Sequence, residues 1–441
     1  MKVYIETYGC QMNEYDTELA VSLLEMHGYE VISVPEEADI ALLNTCSVRE
    51  NANRKVLARV HDLRHKANNG DLVIGILGCM ATDYQEKLID NKRLPINFIA
   101  GPDSYRRLPE LINQCLHFQN RLMDVTLSKT ETYDGVVPVR TSGVNAWIAV
   151  MRGCNNFCSF CVVPYTRGRE RSRSVQSVVD ETRRIVRDGY PQVTLLGQNV
   201  NSYRHEDHDF AGLLEAVSAV DGIERIRFTS PHPKDFPDPL IRVMADHPKI
   251  CKHIHLPLQA GNSRILELMR RTYTKEDYLR LVDKIRSHIP DVVLSTDIIV
   301  GFPTETDQEF KDTVDVVNKV RFDSAFIFKY SERDGTLAQK HFTDDVPEEV
   351  KTERIVTLNE LQKSISLHKN RAHIGQVHDV LIEADSTKKS DKDIQGRNDG
   401  NKLVILPKKH HNIGDFVRAK ITDASAHVLR GVVKNSDETR L

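Results

Sequence analysis

Trp147-Ile148-Ala149-Val150-Met151-Arg152-Gly153-Cys154-Asn155-Asn156-Phe157-Cys158-Ser159-Phe160-Cys161 runs from an apolar, strand-like segment directly into three cysteines at C-x3-C-x2-C spacing. Three thiolates so placed wrap one face of a cubane, each on a different iron of a [4Fe–4S] cluster. The fourth iron then has no protein ligand, and a molecule carrying an amine and a carboxylate can chelate it. Electron transfer from a low-potential cluster into a sulfonium breaks a carbon–sulfur bond and yields an alkyl radical. Structural zinc uses four ligands in paired groupings, and no fourth partner stands nearby in the sequence.

Outward from that motif, residues 146–345 alternate apolar runs with helical periodicity. Strands are predicted at Trp147–Met151, Val193–Leu196, Ile226–Thr229, Ile254–Leu258, Val292–Val300 and Ser324–Lys329, with helices such as Val175–Asp188, Phe210–Val220, Ser263–Arg271, Lys275–Ser287 and Asp307–Val320 between them. Six such units in about two hundred residues are too few for a closed eight-fold barrel. They predict a partial (β/α)6 barrel, open along one side. Residues 1–120 alternate likewise: Val3–Tyr8, Ile40–Asn44, Val73–Leu77 and Phe98–Ala100 read as strands, and Asn13–Met26, Ala52–Lys66 and Ser104–Phe118 as helices. That pattern predicts a parallel α/β sheet domain. Residues 121–145 read as an irregular linker, and Glu348–Ala372 as a helical connector closing the 146–372 unit. Residues 373–441 lack helical periodicity; Val377–Glu383, Lys402–Leu406, Phe416–Ala424 and His427–Val433 predict a small β-barrel.

The 441 residues are 40% hydrophobic and 28% charged, with a net charge of −3. Nucleic-acid contact must then come from a local basic patch. No export signal or membrane span is expected, so a cytoplasmic protein with reduced cysteines follows. Of its eight cysteines, Cys10, Cys46 and Cys79 each sit just past the end of a predicted parallel strand. In open α/β sheets ligands bind at that edge, so three cysteines distant in sequence are expected to meet there and hold a second cluster. Cys115 and Cys251 have no partner at ligand spacing and read as structural.

The paired triads, the partial barrel and the β-barrel tail resemble the methylthiotransferases of the radical S-adenosylmethionine superfamily. Three stretches carry the likeness: Thr7-Tyr8-Gly9-Cys10-Gln11-Met12-Asn13, Cys46-Ser47-Val48-Arg49-Glu50, and Cys154 through Val162-Val163-Pro164-Tyr165-Thr166-Arg167 to Arg173. They are most similar to the branch acting on N6-dimethylallyladenosine of tRNA. The tail, with Gly396-Arg397-Asn398 before a strand, resembles a TRAM domain, a small RNA-binding barrel.

The resemblance implies two [4Fe–4S] clusters and two molecules of S-adenosylmethionine. Cys154, Cys158 and Cys161 would hold the cluster that generates a 5′-deoxyadenosyl radical. Cys10, Cys46 and Cys79 would hold an auxiliary cluster carrying the sulfur. The product would bear a methylthio group at carbon-2 of the adenine beside the anticodon, where the C–H bond is not acidic enough for base chemistry. Phe160, Gln198, Asn199, Ser230, Gln259 and Gly301, at the expected barrel mouth, are assigned to S-adenosylmethionine.

Arg167, Arg169, Arg171 and Arg173 recur every second residue. An extended segment would direct all four to one side, toward phosphates of the tRNA anticodon stem-loop, with Arg397 contributing from the tail. The resemblance also implies a flavodoxin- or ferredoxin-like electron donor, a sulfur donor that the sequence does not identify, no membrane, and a monomer. The competing readings are the same chemistry on threonylcarbamoyl-adenosine tRNA or a ribosomal protein, and a non-catalytic iron–sulfur RNA-binding protein.

Overall fold

Continuous apolar runs make Ile40–Thr45 and Val73–Gly78 strands buried on both faces, as the centre of a parallel sheet requires. A computed structural model of the chain describes residues 1–47, 50–118, 120–140, 143–409 and 411–434. Val48 and Arg49 of the second quoted motif lie outside the described residues, as does the tail beyond 434.

The first sheet has six parallel strands in the order Glu30–Ile32, Lys2–Tyr8, Ile40–Thr45, Val73–Gly78, Phe98–Ala100, Leu122–Asp124. Helices Gln11–Glu25 and Leu108–Phe118 contribute to the core on one face, and Glu50–Asn68 and Cys79–Ile89 to that on the other. The sequence reading stopped short of both edge strands, each only three residues long. Leu122–Asp124 falls inside the segment expected to be a linker, which carries no further strand or helix among its described residues until Asn145 opens the next strand.

In the middle unit, Asn145–Ala149, Gln192–Leu196 and Arg225–Phe228 form one parallel three-stranded sheet, and His253–His255, Val293–Val300 and Ser324–Lys329 form another. A parallel bridge from Ile226 to Ile250 joins them, giving the expected six-unit open barrel. Its helices start where their caps dictate. The Ser174 and Asp209 side chains accept from backbone N–H groups of the first turn, and Thr274/Asp277 and Thr306/Glu309 form capping boxes. A helix not anticipated, Asp238–Asp246, follows the third strand.

The C-terminal residues close into a five-stranded barrel: Val377–Ala384, Asp393–Asn398, Leu403–Pro407, Leu429–Val433, Phe416–Ala424. Gly396-Arg397-Asn398, expected to precede a strand, is part of one. Gly396 is required there, because a Cβ would stand 2.2 Å from the Leu381 carbonyl oxygen.

This small barrel plugs the N-terminal end of the open one. Arg225 donates to the Arg397 and Asp379 carbonyls (2.8 and 2.7 Å), and Arg227 to those of Asp399 and Asn398 (2.9 and 2.7 Å). The Asp399 carboxylate accepts from the Lys252 N–H at 2.9 Å, and Lys402 pairs with Asp323 at 2.8 Å. Among the described residues no helix is long and apolar enough to cross a membrane.

Hydrogen bonds to charged donors contribute about 1.5–3 kcal/mol each. Arg225→Ala with Arg227→Ala should therefore free the small barrel before the rest unfolds, read as early proteolysis between residues 372 and 377 while the partial barrel remains resistant.

Candidate functional site

Tyr8, Thr45 and Gly78 are in register at the ends of three neighbouring strands. Cys10, Cys46 and Cys79 follow one or two residues later, so strand alignment alone delivers three thiols to one place. Two glycines let them close up. A Cβ on Gly9 would stand 2.9 Å from that of Cys46, and Gly78 adopts φ +84° with the Asn44 amide oxygen 2.4 Å from where its Cβ would be. The Cys46 N–H donates to the Tyr8 carbonyl at 2.9 Å. A hydrogen bond with Cys46 brings the Cys10 thiol down to about 6, against burial and with help from the Arg167 charge. Burial raises Cys79, while Arg167 opposes it and donates to its sulfur at 3.1 Å.

The second triad forms on the loop after Met151–Arg152, which pairs antiparallel with Arg171–Ser172. Gly153, at φ +77°, has no room for a Cβ: it would meet the Arg169 carbonyl oxygen at 2.0 Å. Cys154 N–H donates to the Gly168 carbonyl, and Cys161 N–H to that of Cys158. Burial pushes the Cys154 thiol up to about 11 and Cys161 to about 12. Metal binding deprotonates such thiols outright. Arg271, buried, donates to Cys158 Sγ at 3.2 Å.

One cavity of about 280 Å3 is lined by Cys154, Cys158 and Cys161 and, from the first triad, by Cys10; Cys46 and Cys79 are not among its lining residues. All eight cysteines are free thiols. Among the described residues no three of His, Cys, Asp or Glu are arranged to hold a single metal ion; thiolates of a cubane each meet a different iron and stand farther apart.

Charge supports the cluster assignment. Arg271 meets only Cys158 and the Tyr273 hydroxyl (3.1 Å), and no described carboxylate pairs with it. Arg152 and Arg167 share the single carboxylate of Asp16, leaving Arg152 Nε and one terminal nitrogen of each guanidinium buried without a partner. Buried guanidiniums in such surplus need anionic neighbours, which the two triads would provide in a deprotonated, metal-ligating form.

Of the residues assigned to S-adenosylmethionine, Phe160, Gln198, Ser230 and Gln259 line the cavity. Gln198 Oε1 is buried with no partner, an acceptor free for a ligand. Ser230 and Gln259 adopt φ of 59° and 69°, backbone strain of the kind that collects at sites. Asn199 stands outside the lining, donating to Asp235 at 2.8 Å. Gly301 is elsewhere: its missing Cβ makes room for the Lys351 side chain, 2.4 Å away, not for a cofactor.

The arginine run is corrected by the structure. Arg167, Arg171 and Arg173 are buried and paired with Asp16, Asp103 and Glu181. Arg169 alone of the four is exposed, its guanidinium 4.3 Å from the Phe157 ring centroid. Arg397 is tied to Glu383 (3.2 Å) and the Asn401 carbonyl (2.9 Å). The reading failed because the carboxylates that claim these guanidiniums lie up to 151 residues away in the chain.

Sequence reasoning missed Arg271, Asp297 and His232, all lining the cavity; none belongs to a local motif. Burial, with Arg271 and Lys234 adding positive charge, pushes His232 down to about 2. Its unfolded value is about 6.5, so the folded state is the poorer proton acceptor. The stability this gives is complete above pH 6.5 and falls with pH below that value. Denaturant titration should show a loss of about 1.4 kcal/mol per pH unit between pH 6 and 5 from this group, and His232→Gln should flatten that slope.

Known proteins were compared with this chain. The radical SAM superfamily matches residues 148–317, the TRAM domain 371–434, and Uncharacterized protein family UPF0004 residues 2–101. A tRNA-2-methylthio-N(6)-dimethylallyladenosine synthase from Porphyromonas gingivalis is 48% identical, covering 98% of this chain and 95% of its own. One from Phocaeicola vulgatus is 46% identical with the same coverage. A solved radical S-adenosylmethionine methyltransferase, TsrM, from Kitasatospora setae, with cobalamin and a [4Fe-4S] cluster bound, covers 77% of each chain with a TM-score of 0.57. At 14% identity it speaks for the fold alone. Spanning nearly the full length of relatives close to half identical, the chain belongs to the family of tRNA-2-methylthio-N(6)-dimethylallyladenosine synthases.

Proposed function

We propose that this chain inserts a methylthio group at carbon-2 of N6-dimethylallyladenosine beside the anticodon of tRNA. The observation that carries the reading is one cavity lined by Cys154, Cys158 and Cys161 and also by Cys10 of the other triad, where a radical made at one cluster would be within reach of sulfur held at the other. When bound, the two clusters and S-adenosylmethionine supply the reductive cleavage of a sulfonium, the methyl group and the transferred sulfur. Cys154, Cys158 and Cys161 hold the first cluster; Cys10, Cys46 and Cys79 hold the second.

The chain's own groups do the rest. Arg271 and Arg167 donate to Cys158 and Cys79 sulfurs, which stabilises the anionic, ligating form of each triad. Gln198 Oε1 accepts from the cofactor, with Phe160, Ser230 and Gln259 around it. His232 is neutral at any working pH, so it offers hydrogen bonds to the cavity without a charge.

Arg169, stacked on Phe157, with exposed Tyr165 edge-on to the same ring at 5.8 Å, is the RNA-facing group of the site. Splayed nucleotides stack on such aromatic and guanidinium planes. The division of labour gives the auxiliary cluster to the N-terminal sheet unit ending at Asp124, the radical chemistry to the partial barrel and its connector, 145–372, and RNA to the small barrel. The protein acts as a cytoplasmic monomer reduced by a flavodoxin- or ferredoxin-like donor.

Anaerobically reconstituted protein should contain about eight irons, two cubanes' worth, falling to about four when Cys10, Cys46 and Cys79 become alanine. Incubated with S-adenosylmethionine, a reductant and a dimethylallyladenosine anticodon stem-loop, it should exchange one hydrogen for a methylthio group by mass spectrometry. Sulfur gain only on threonylcarbamoyl-adenosine RNA or a ribosomal protein would overturn the substrate; absence of 5′-deoxyadenosine would overturn the enzyme. Arg169→Ala should weaken stem-loop binding and lower the salt dependence by about one counterion.

A further inference from the structure

Ser324–Lys329 is the free edge of the open barrel, with Val293–Val300 as its one sheet neighbour. In their register Asp297 lies beside Phe326 and Ile299 beside Phe328. Cross-strand partners share a face and successive residues alternate. Asp297 lines the reaction cavity, so Phe326 and Phe328 belong to the cavity's face of the sheet. Ile327, between them, packs against the main core. Yet Phe326 is 56% exposed and Phe328 49%. Phe326 touches His255 edge-on at 6.0 Å between centroids, and His255 Nε2 bonds Asp297 at 3.1 Å. An apolar shelf at the open edge is therefore continuous, through two contacts, with the wall of the cavity.

Apolar rings on an inner face, half in solvent, are suited to an apolar partner. In adenine, carbon-2 and carbon-6, which bears N6, flank the same ring nitrogen, so an N6 substituent lies on the edge that carries the reacting C–H bond. Its subsite must then adjoin the cavity. We propose that Phe326 and Phe328 form the subsite for the branched five-carbon dimethylallyl group of the substrate adenosine, with the His255–Asp297 pair as its polar boundary. The inference rests on the tRNA reading above and adds the residues that select a prenylated adenosine.

The test measures binding of two anticodon stem-loop RNAs, identical except for the dimethylallyl group, to anaerobically reconstituted full-length protein. The wild type should prefer the prenylated RNA by about tenfold or more, as hydrophobic pockets discriminate. Phe326→Ala and Phe328→Ala should each bring that ratio toward one. Because both RNAs meet the same folded chain, a general loss of affinity does not mimic the effect. Should the alanine variants fail to fold, Phe326→Leu serves: the room it creates should shift preference toward an N6-benzyl RNA. A wild-type ratio near one, an unchanged ratio in the alanine variants, or no shift with Phe326→Leu overturns the subsite. Failure of the tRNA reading is read separately, as absence of methylthio product from the wild type with either RNA.

Discussion

One buried carboxylate holds the molecule's two halves in working relation. Asp16, inaccessible on the helix that Cys10 opens, accepts from Arg152 at 2.5 Å, Arg167 at 2.8 Å and the Tyr105 hydroxyl at 3.3 Å. Arg152 precedes the radical-cluster cysteines by two residues, and Arg167 reaches on to Cys79. This ionic node, with the buried Arg171–Asp103 pair beside it, fixes the first sheet against the partial barrel and couples one domain's guanidinium to the other's thiol. Removing one member of a buried ionic set costs about 3–5 kcal/mol, because the charge left behind has lost its partner. Apolar packing supports the node: one core takes in Tyr15 and Leu19 of that helix, Tyr133 of the connecting segment, and Ala149 and Leu196 of the barrel strands.

Given that node, the site follows from topology. Parallel sheets collect ligands at the carboxyl ends of their strands, and so do barrels. Asp16 turns the two carboxyl edges toward each other, so two surfaces that would each bind a small molecule become walls of one cavity. Neither wall is electrically complete alone. Arg167 and Arg271 bring more positive charge than the surrounding carboxylates absorb, a balance that thiolates holding iron would supply.

Legibility in the sequence divides along the same lines. The placement of Cys154, Cys158 and Cys161 is legible because they lie within one loop, and the convergence of Cys10, Cys46 and Cys79 because strand ends are recognisable one at a time. Glu30–Ile32 and Leu122–Asp124 are not legible because each breaks its short apolar run with an acidic residue, unlike the equally short but wholly apolar Phe98–Ala100. Arg167, Arg171 and Arg173 were misread because a local alternation says which side a residue takes but not what lies there, and Asp16, Asp103 and Glu181 come from other elements. Gly301 was assigned to a ligand when a lysine of a distant helix needed the space. Phe326 and Phe328 had a legible strand but an illegible environment: an alternating pattern does not tell an edge strand from a central one, and only the missing neighbour leaves those rings open.

The ends of the partial barrel differ in kind, and this constrains how RNA approaches. Asp399, Gly400 and Lys402 of the small barrel fill the N-terminal end, where a Gly400 Cβ would stand 2.5 Å from Val293. The cavity lies toward the opposite end of the same strands, four or five residues on and roughly 15 Å away at the rise of extended chain. An RNA gripped by the small barrel while presenting a base to the cavity must therefore run alongside the strands, not over one end. The free edge at Ser324–Lys329 is where the sheet leaves that path open. A complete eight-fold barrel would close it, so on the proposed reading the incompleteness of the fold is what would give a nucleotide still attached to a folded RNA access to the cavity.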